Sequence, residues 1–210
     1  MKLIFSILNQ LQEYVPHTVL RRVKKYFQIK SLPRWKQNGY QVPPPHIVKV
    51  YLLKMIAKKK KLSYFVETGT FRGDMIDEMR SLFKKIYSIE LFEPLYIKAK
   101  KNFLKYDHIN ILQGDSAKII PSIISKLNQP TLFWLDAHFS GSGTAQSSID
   151  TPIEKELEII SKIAIPHVIV IDDARLFVGA NDYPSISKLI KKYKISYTIT
   201  VIHDMIVLVK

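Results

Sequence analysis

The residues best suited to chemistry are carboxylates that follow two apolar segments. Asp136 ends the segment 133–136, and Asp172 and Asp173 end the segment 170–173. If the segments are neighbouring strands of a parallel sheet, the three carboxylates converge at one edge. Grouped carboxylates repel one another unless a cation or proton is present, and oxygen ligands suit Mg²⁺, Mn²⁺ or Ca²⁺. The pattern predicts a divalent metal site; the alternative is that Asp172 and Asp173 only cap a turn.

A histidine lies two positions beyond the first of these acids. His138 is the predicted general base, because a neutral imidazole accepts a proton near pH 7. With Asp136 it forms the predicted catalytic pair. The alternative is that His138 only supports the site or has a structural role.

A glycine-containing turn follows the first predicted strand, in the run Val66-Glu67-Thr68-Gly69-Thr70-Phe71-Arg72-Gly73. Gly69 and Gly73 permit a tight turn into a helix and close approach of a ligand, although such glycines often serve geometry alone. Glu90 ends the second predicted strand, where an acid can accept hydrogen bonds from ribose hydroxyls. Asp115 and Ser116 follow the third strand. The alternatives are a solvated strand end for Glu90 and a helix N-cap for Asp115.

These residues require a sheet to position them, and the sequence predicts one. Apolar segments that favour strands alternate with amphipathic segments that favour helices, which indicates a parallel sheet covered on both faces. The predicted strands are 64–67, 86–90, 109–112, 131–136 and 168–172, and the predicted helices are 74–83, 94–106, 117–127, 153–164 and 185–192. Two final strands, 196–201 and 205–209, are joined by three residues, which allows only an antiparallel hairpin.

The turn and the hairpin together resemble class I methyltransferases. The resemblance covers residues 63–210 and implies an α/β, Rossmann-like, mostly parallel sheet that binds S-adenosylmethionine. By this resemblance the first turn lines the methionine end of the donor, Glu90 holds the ribose, and Asp115 lies on the adenine side. The predicted cofactor-binding residues are Glu67, Gly69, Thr70, Gly73, Glu90, Asp115 and Ser116.

The acids after the fourth and fifth strands narrow the resemblance to metal-dependent, macrocin-type sugar and small-molecule O-methyltransferases. It implies that Asp136, Asp172 and Asp173 hold Mg²⁺ or another divalent cation, which chelates vicinal oxygens of a glycan or other polyhydroxylated acceptor. Two alternatives stay open. One is an RNA or other nucleic acid methyltransferase, and the other is a non-catalytic nucleotide-binding module of the same fold.

Charge divides the chain into two predicted parts. Residues 1–62 hold 14 Lys and Arg and one acid, Glu13, whereas residues 63–210 hold 18 basic and 17 acidic residues. The first part is predicted to be a basic helical extension, with helices at 3–15 and 18–27 and a turn-rich linker that contains Pro33 and Gly39. The second part is predicted to be the methyltransferase domain.

The role of the basic extension has three alternatives. It covers the sheet or a subunit interface of a homo-oligomer, contacts an anionic membrane through residues 1–30, or binds nucleic acid. Nucleic acid is the least favoured partner, because residues 63–210 are nearly neutral.

The chain has no cysteine, which excludes disulfides and thiolate chemistry, and no apolar run of the roughly 20 residues that span a bilayer. We expect a cytoplasmic protein, and peripheral attachment at the inner membrane face is the alternative.

Overall fold

A computed structural model describes residues 17–136 and 151–210, so the predicted helix 3–15 and His138 lie outside the described residues. The strands are β1 Tyr64–Thr68, β2 Lys85–Glu90, β3 Ile109–Gln113, β4 Thr131–Leu135, β5 His167–Ile171, β6 Thr198–Ile202 and β7 Met205–Val209. The helices are α1 His17–Gln37, α2 His46–Lys59, α3 Asp74–Met79, α4 Glu93–Phe103, α5 Ser116–Ile124, α6 Ile153–Ser161 and α7 Ile186–Tyr193. A short 3₁₀ turn covers Ala174–Leu176.

The seven strands form one sheet in the order β3-β2-β1-β4-β5-β7-β6. β1 to β5 are parallel, and β7 runs antiparallel between β5 and β6. His203 and Asp204 connect β6 to β7 with positive φ angles of 48° and 67°, as a tight hairpin turn requires. The predicted fold class is therefore confirmed: a Rossmann-like, mostly parallel sheet that ends in an antiparallel hairpin.

The central strands are buried on both faces, so successive side chains enter two separate cores. Val66 of β1 and Phe133 of β4 lie side by side in one apolar cluster with Ile169 of β5. Phe65 and Leu132, one position earlier on β1 and β4, lie in the other cluster. This alternation fixes the register, because a one-residue slip would exchange the two faces.

The first two helices pack on the face that carries Phe65. Ile47, Val50 and Leu53 of α2 recur at helical spacing and belong to the same core cluster as that phenylalanine. Arg21 of α1 donates to the carbonyl oxygen of Gly73 at 3.0 Å. The part of the extension that the structure describes is thus in direct contact with the sheet and its first helix.

Basic residues of these two helices pair with acids of α3. Arg21 forms an ion pair with Asp77, and Lys25 and Lys54 both contact Glu78 at 2.7 Å. Part of the positive charge of residues 1–62 is therefore neutralised within the protein. No helix in the described ranges is both long enough and apolar enough to cross a membrane.

The predicted linker around Pro33 begins too early. α1 continues through Pro33 and ends at Gln37, and Gly39 in the turn that follows has a left-handed φ of +73°. The missing amide of Pro33 removes one helical hydrogen bond, but Leu32 packs against the core of the Phe65 face. Packing outweighs the local preference, so the turn-rich linker is only 38–45.

Gly73 offers a test of how tightly the first turn packs. Its φ is +73°, and a Cβ placed there would lie 2.5 Å from Cε2 of the buried Phe103 ring. We expect Gly73→Ala to lower the free energy of unfolding by roughly 2–4 kcal/mol, from backbone strain and overpacking together. Urea denaturation monitored by circular dichroism measures this loss.

Gly39→Ala is the matched control for this substitution. Gly39 has the same φ of +73°, but nothing lies within 4 Å of a Cβ built there. It should show only the strain component, about 1–2 kcal/mol. Equal losses in the two variants would contradict close packing of Gly73 against Phe103.

Candidate active site

Three carboxylates meet at the carboxyl edge of the sheet. Asp136 follows β4, and Asp172 and Asp173 follow β5. Leu135 is paired with Ile171, so the two strands end at the same level. One carboxylate oxygen from each aspartate lies within 4.8 Å of the others. The oxygens are close enough to share one cation.

A lysine that the sequence analysis did not single out lies against this cluster. Nζ of Lys49, on α2, donates a hydrogen bond to Oδ2 of Asp172 and lies 3.6 Å from Oδ1 of Asp173. Burial alone would lower the pKa of Lys49, but the attraction of Asp172 and Asp136 outweighs it, so the pKa is raised. The lysine is therefore charged at neutral pH.

Asp172 is the aspartate whose ionisation is most strongly affected. Burial and the repulsion of Asp136 raise its pKa to about 7, although the charge of Lys49 opposes that shift. Asp173 has a different partner, since NH1 of Arg175 lies 2.7 Å from its Oδ1 and also contacts Asp204. Two basic side chains thus offset much of the negative charge at this edge.

The turn after β1 is held by buried hydroxyl groups. Ser88 donates to Oε2 of Glu67 at 2.6 Å, and its hydroxyl lies 2.6 Å from that of Thr70. Burial raises the pKa of Glu67 well above its ordinary value, and the hydrogen bond from Ser88 only partly offsets this. Gly69, with a φ of +84°, turns the chain away from the strand.

A cavity of about 290 Å³ opens beside this turn. Three predicted cofactor-binding residues, Glu67, Gly69 and Thr70, line it together with Asp136. Asp136 thus borders the cavity and also belongs to the aspartate cluster. The other lining residues are Lys24, Gln28, His46, Phe71, Arg72, Asp74, Met75 and Trp134.

The remaining predicted cofactor residues lie along the same edge but do not line this cavity. Both oxygens of buried Glu90 accept backbone hydrogen bonds, from Phe71 at 2.7 Å and Phe92 at 2.9 Å. Asp115 caps α5 by accepting from the amide of Ala117 at 3.0 Å, which is the N-cap geometry of the alternative interpretation. Buried Ser116 begins α5, and Gly73 ends the turn against Phe103.

His46 is a further residue that sequence analysis missed. It begins α2, lines the 290 Å³ cavity, and forms no hydrogen bond through its ring within the described ranges. Burial lowers the pKa of His46 more than the attraction of Asp74 raises it, so the ring is neutral at pH 7. Its position next to three prolines resembles an ordinary helix start, so local sequence carries no signal of this role.

Glu156 of α6 is a third residue that sequence analysis missed. It is buried, and its Oε1 has no hydrogen-bond partner among the described residues; the same is true of Oγ1 of Thr68. Burial raises the pKa of Glu156 to about 7 from an ordinary 4.5. Between pH 4.5 and about pH 7, the folded protein therefore retains a proton on Glu156, whereas the unfolded chain has released it. As the pH rises through this range, Glu156 lowers the free energy of unfolding.

Glu156→Gln should remove this pH-dependent cost. Between pH 5 and pH 8 we expect the stability of the variant relative to the parent to increase by roughly 2–3 kcal/mol. Urea unfolding at both pH values measures it. The exposed Glu158→Gln on the same helix should show little change, and a pH-independent difference for Glu156→Gln would contradict the raised pKa.

Comparisons with known proteins agree with this architecture. No protein-family model matches the chain. A segment of 105 residues is 30% identical to protein-L-isoaspartate O-methyltransferase 2 of Polaromonas sp., and covers 49% of this chain and 46% of that protein. The chain therefore matches about half the length of this curated relative.

Solved structures resemble the whole fold. The Streptomyces achromogenes O-methyltransferase TomG, involved in tomaymycin synthesis and solved with S-adenosylmethionine, has a TM-score of 0.55 and 16% identity, covering 90% of this chain and 96% of that one. A Bacillus cereus O-methyltransferase solved with S-adenosylhomocysteine has a TM-score of 0.54 and 14% identity, covering 98% and 97%. At such identities the likeness shows the fold alone, and that fold is the class I methyltransferase fold.

Proposed function

We propose that the protein is an S-adenosylmethionine-dependent O-methyltransferase, assisted by a divalent cation, that acts on a sugar or another small polyhydroxylated acceptor. The observation that carries the proposal is that Asp136 belongs to two neighbouring sites. Its carboxylate borders the cavity beside the β1 turn and also belongs to the three-aspartate cluster. A methyl donor in the cavity and a cation on the aspartates would therefore be neighbours.

The residues around the cavity fit the methionine end of the donor. Bound S-adenosylmethionine supplies a methyl group on a positively charged sulfur, open to in-line displacement by an oxygen. Gly69 permits close backbone approach, and the acids Glu67, Asp74 and Asp136 line the same cavity. We assign Glu90 to the ribose and Asp115 and Ser116 to the adenine side, which continue along the sheet edge.

The three aspartates fit a divalent cation by donor chemistry. Their oxygens lie within 4.8 Å of one another, and hard cations prefer oxygen ligands. A cation bound there supplies a Lewis acid that lowers the pKa of a coordinated hydroxyl. Asp136, Asp172 and Asp173 would hold it at the ends of β4 and β5, next to the donor cavity.

A groove next to the donor cavity has a lining suited to a polyhydroxylated acceptor. It has a volume of about 660 Å³ and shares Gln28 and His46 with the donor cavity. Trp35 lines it with its indole nitrogen bonded to the carbonyl oxygen of Gln41 at 2.7 Å. Aromatic faces bordered by amide groups suit a sugar ring, which presents both C–H and hydroxyl groups.

The acceptor hydroxyl must lose its proton when the methyl group is transferred. His138, outside the described residues, stays the predicted base. His46 is the described residue at the junction of cavity and groove that can also accept a proton, because its ring is neutral at pH 7.

The alternative functions, nucleic acid methylation and a non-catalytic module, predict no metal-dependent methylation of glycosides. Membrane contact through residues 1–30, homo-oligomerisation and a cytoplasmic location stay predictions.

Donor binding is tested by calorimetric titration with S-adenosylmethionine. We expect one site per chain, and Glu90→Gln should weaken binding by at least about tenfold because it removes a charge-assisted hydrogen-bond acceptor. Glu93→Gln, an exposed acid at the start of α4, is the matched control and should bind like the parent. Absence of binding by the parent protein would remove the methyltransferase assignment.

The cation is tested by Asp136→Asn. We expect this variant to lose methyl transfer to a panel of glycosides in Mg²⁺, by about 100-fold or more, because it weakens the Lewis acid site. Its affinity for S-adenosylmethionine should change much less, since Asn preserves the shape of the cavity wall. Transfer of radiolabelled methyl groups measures the loss, and activity that persists in the variant or in EDTA would contradict cation assistance.

A further inference from the structure

Lys49 lies where a cation would bind to the aspartate cluster. Its ammonium group contacts Oδ2 of Asp172 and lies 3.6 Å from Oδ1 of Asp173. Only 13% of its side chain is exposed. An ammonium group has three donors and no lone pair, so it can neutralise carboxylates but cannot ligate a metal. It therefore uses the aspartate oxygens without becoming part of a coordination shell.

The backbone that carries Lys49 is firmly held. Ile47, Val50 and Leu53 of α2 are at most 1% exposed and pack in the core of the Phe65 face. Lys54, on the same helix, pairs with Glu78 of α3. Because α2 is anchored on both sides of residue 49, the four-carbon side chain of Lys49 can leave the aspartates without movement of the helix.

A metal ion and the lysine would occupy the same space. Ligand oxygens lie about 2.0–2.6 Å from Mg²⁺ or Ca²⁺, so an ion on Asp172 would be within a few ångströms of the ammonium nitrogen. Repulsion between the two cations is strong at such a distance in a poorly hydrated site. Arg175 adds a further positive charge beside Asp173, at 2.7 Å.

We propose that Lys49 is an internal competitor for the divalent cation. Without an ion, its ammonium group neutralises the buried aspartates and holds them together. When an ion binds, the lysine side chain must leave the cluster. The cation is then an exchangeable component of the site, bound more weakly than three converging carboxylates would otherwise bind it. This inference rests on the proposed cation site and concerns its regulation.

The experiment compares Mn²⁺ binding to the full chain and to Lys49→Met by calorimetry. Methionine retains length and apolar bulk but removes the charge, so we expect Mn²⁺ to bind at least about tenfold more tightly to the variant. Lys54→Met is the matched control, since it removes a lysine of α2 that pairs away from the aspartates, and it should bind Mn²⁺ like the parent. Lys49→Arg, which keeps the charge, should not gain affinity.

Thermal unfolding provides a second measurement on the same proteins. Without an ion, Lys49→Met should unfold at a lower temperature than the parent, because the aspartate cluster loses one of its two counter-charges, and Mn²⁺ should restore more stability to the variant than to the parent. A variant that folds only in Mn²⁺ would also support the proposal.

The outcomes separate the two proposals. Equal or weaker Mn²⁺ binding by Lys49→Met, with clear binding by the parent, would overturn competition by Lys49 and leave the cation site in place. No Mn²⁺ binding by either protein would overturn the cation site and competition with it. Donor binding is measured independently by titration with S-adenosylmethionine, so the methyltransferase proposal stands or falls separately.

Discussion

Burial of carboxylates at the ends of adjacent parallel strands is the constraint on which this structure depends. Glu67, Glu90, Asp172 and Asp173 are all buried at the carboxyl edge of one sheet. Unpaired buried charge costs several kcal/mol or more, so each group needs its own compensation. Glu67 accepts a hydrogen bond from Ser88, Glu90 accepts hydrogen bonds from two backbone amides, and the aspartates contact Lys49 and Arg175. The four acids at this edge are therefore compensated in three different ways.

The need to pair these acids with basic side chains explains why the basic extension packs against the sheet. The acids of α3 are paired with Arg21, Lys25 and Lys54, and the aspartates beyond β5 are paired with Lys49. All four basic residues precede the first strand. The excess of positive charge in residues 1–62 is thus partly a counter-charge for acids elsewhere in the chain. The separate domain predicted for residues 1–62 stays a prediction, but α2 shares an apolar core with β1 and β4.

Sequence patterns predicted the sheet because its strands are short apolar segments with polar residues at their ends. The same logic predicted that Asp136 and Asp172 would converge, since parallel neighbours end at one edge. It could not predict Lys49, because 123 positions separate this residue from Asp172 and no local pattern distinguishes it from the other lysines of α2. The prediction of a linker at Pro33 was wrong for a related reason. Tertiary packing of Leu32 overrode a local helix breaker, so α1 continues through Pro33.

Helix α2 connects the two halves of the proposed chemistry. His46 and Lys49 are three positions apart, so they project from the same side of the helix. His46 lines the 290 Å³ cavity, and Lys49 contacts Asp172 and Asp173, which lie in one cluster with the cavity residue Asp136. The apolar residues between and after them fix this side of the helix toward the sheet edge. One anchored helix thus places a neutral imidazole in the cavity and a positive charge beside the aspartates. The position of α2 therefore determines, together with the strand ends, which charges meet at this edge of the sheet.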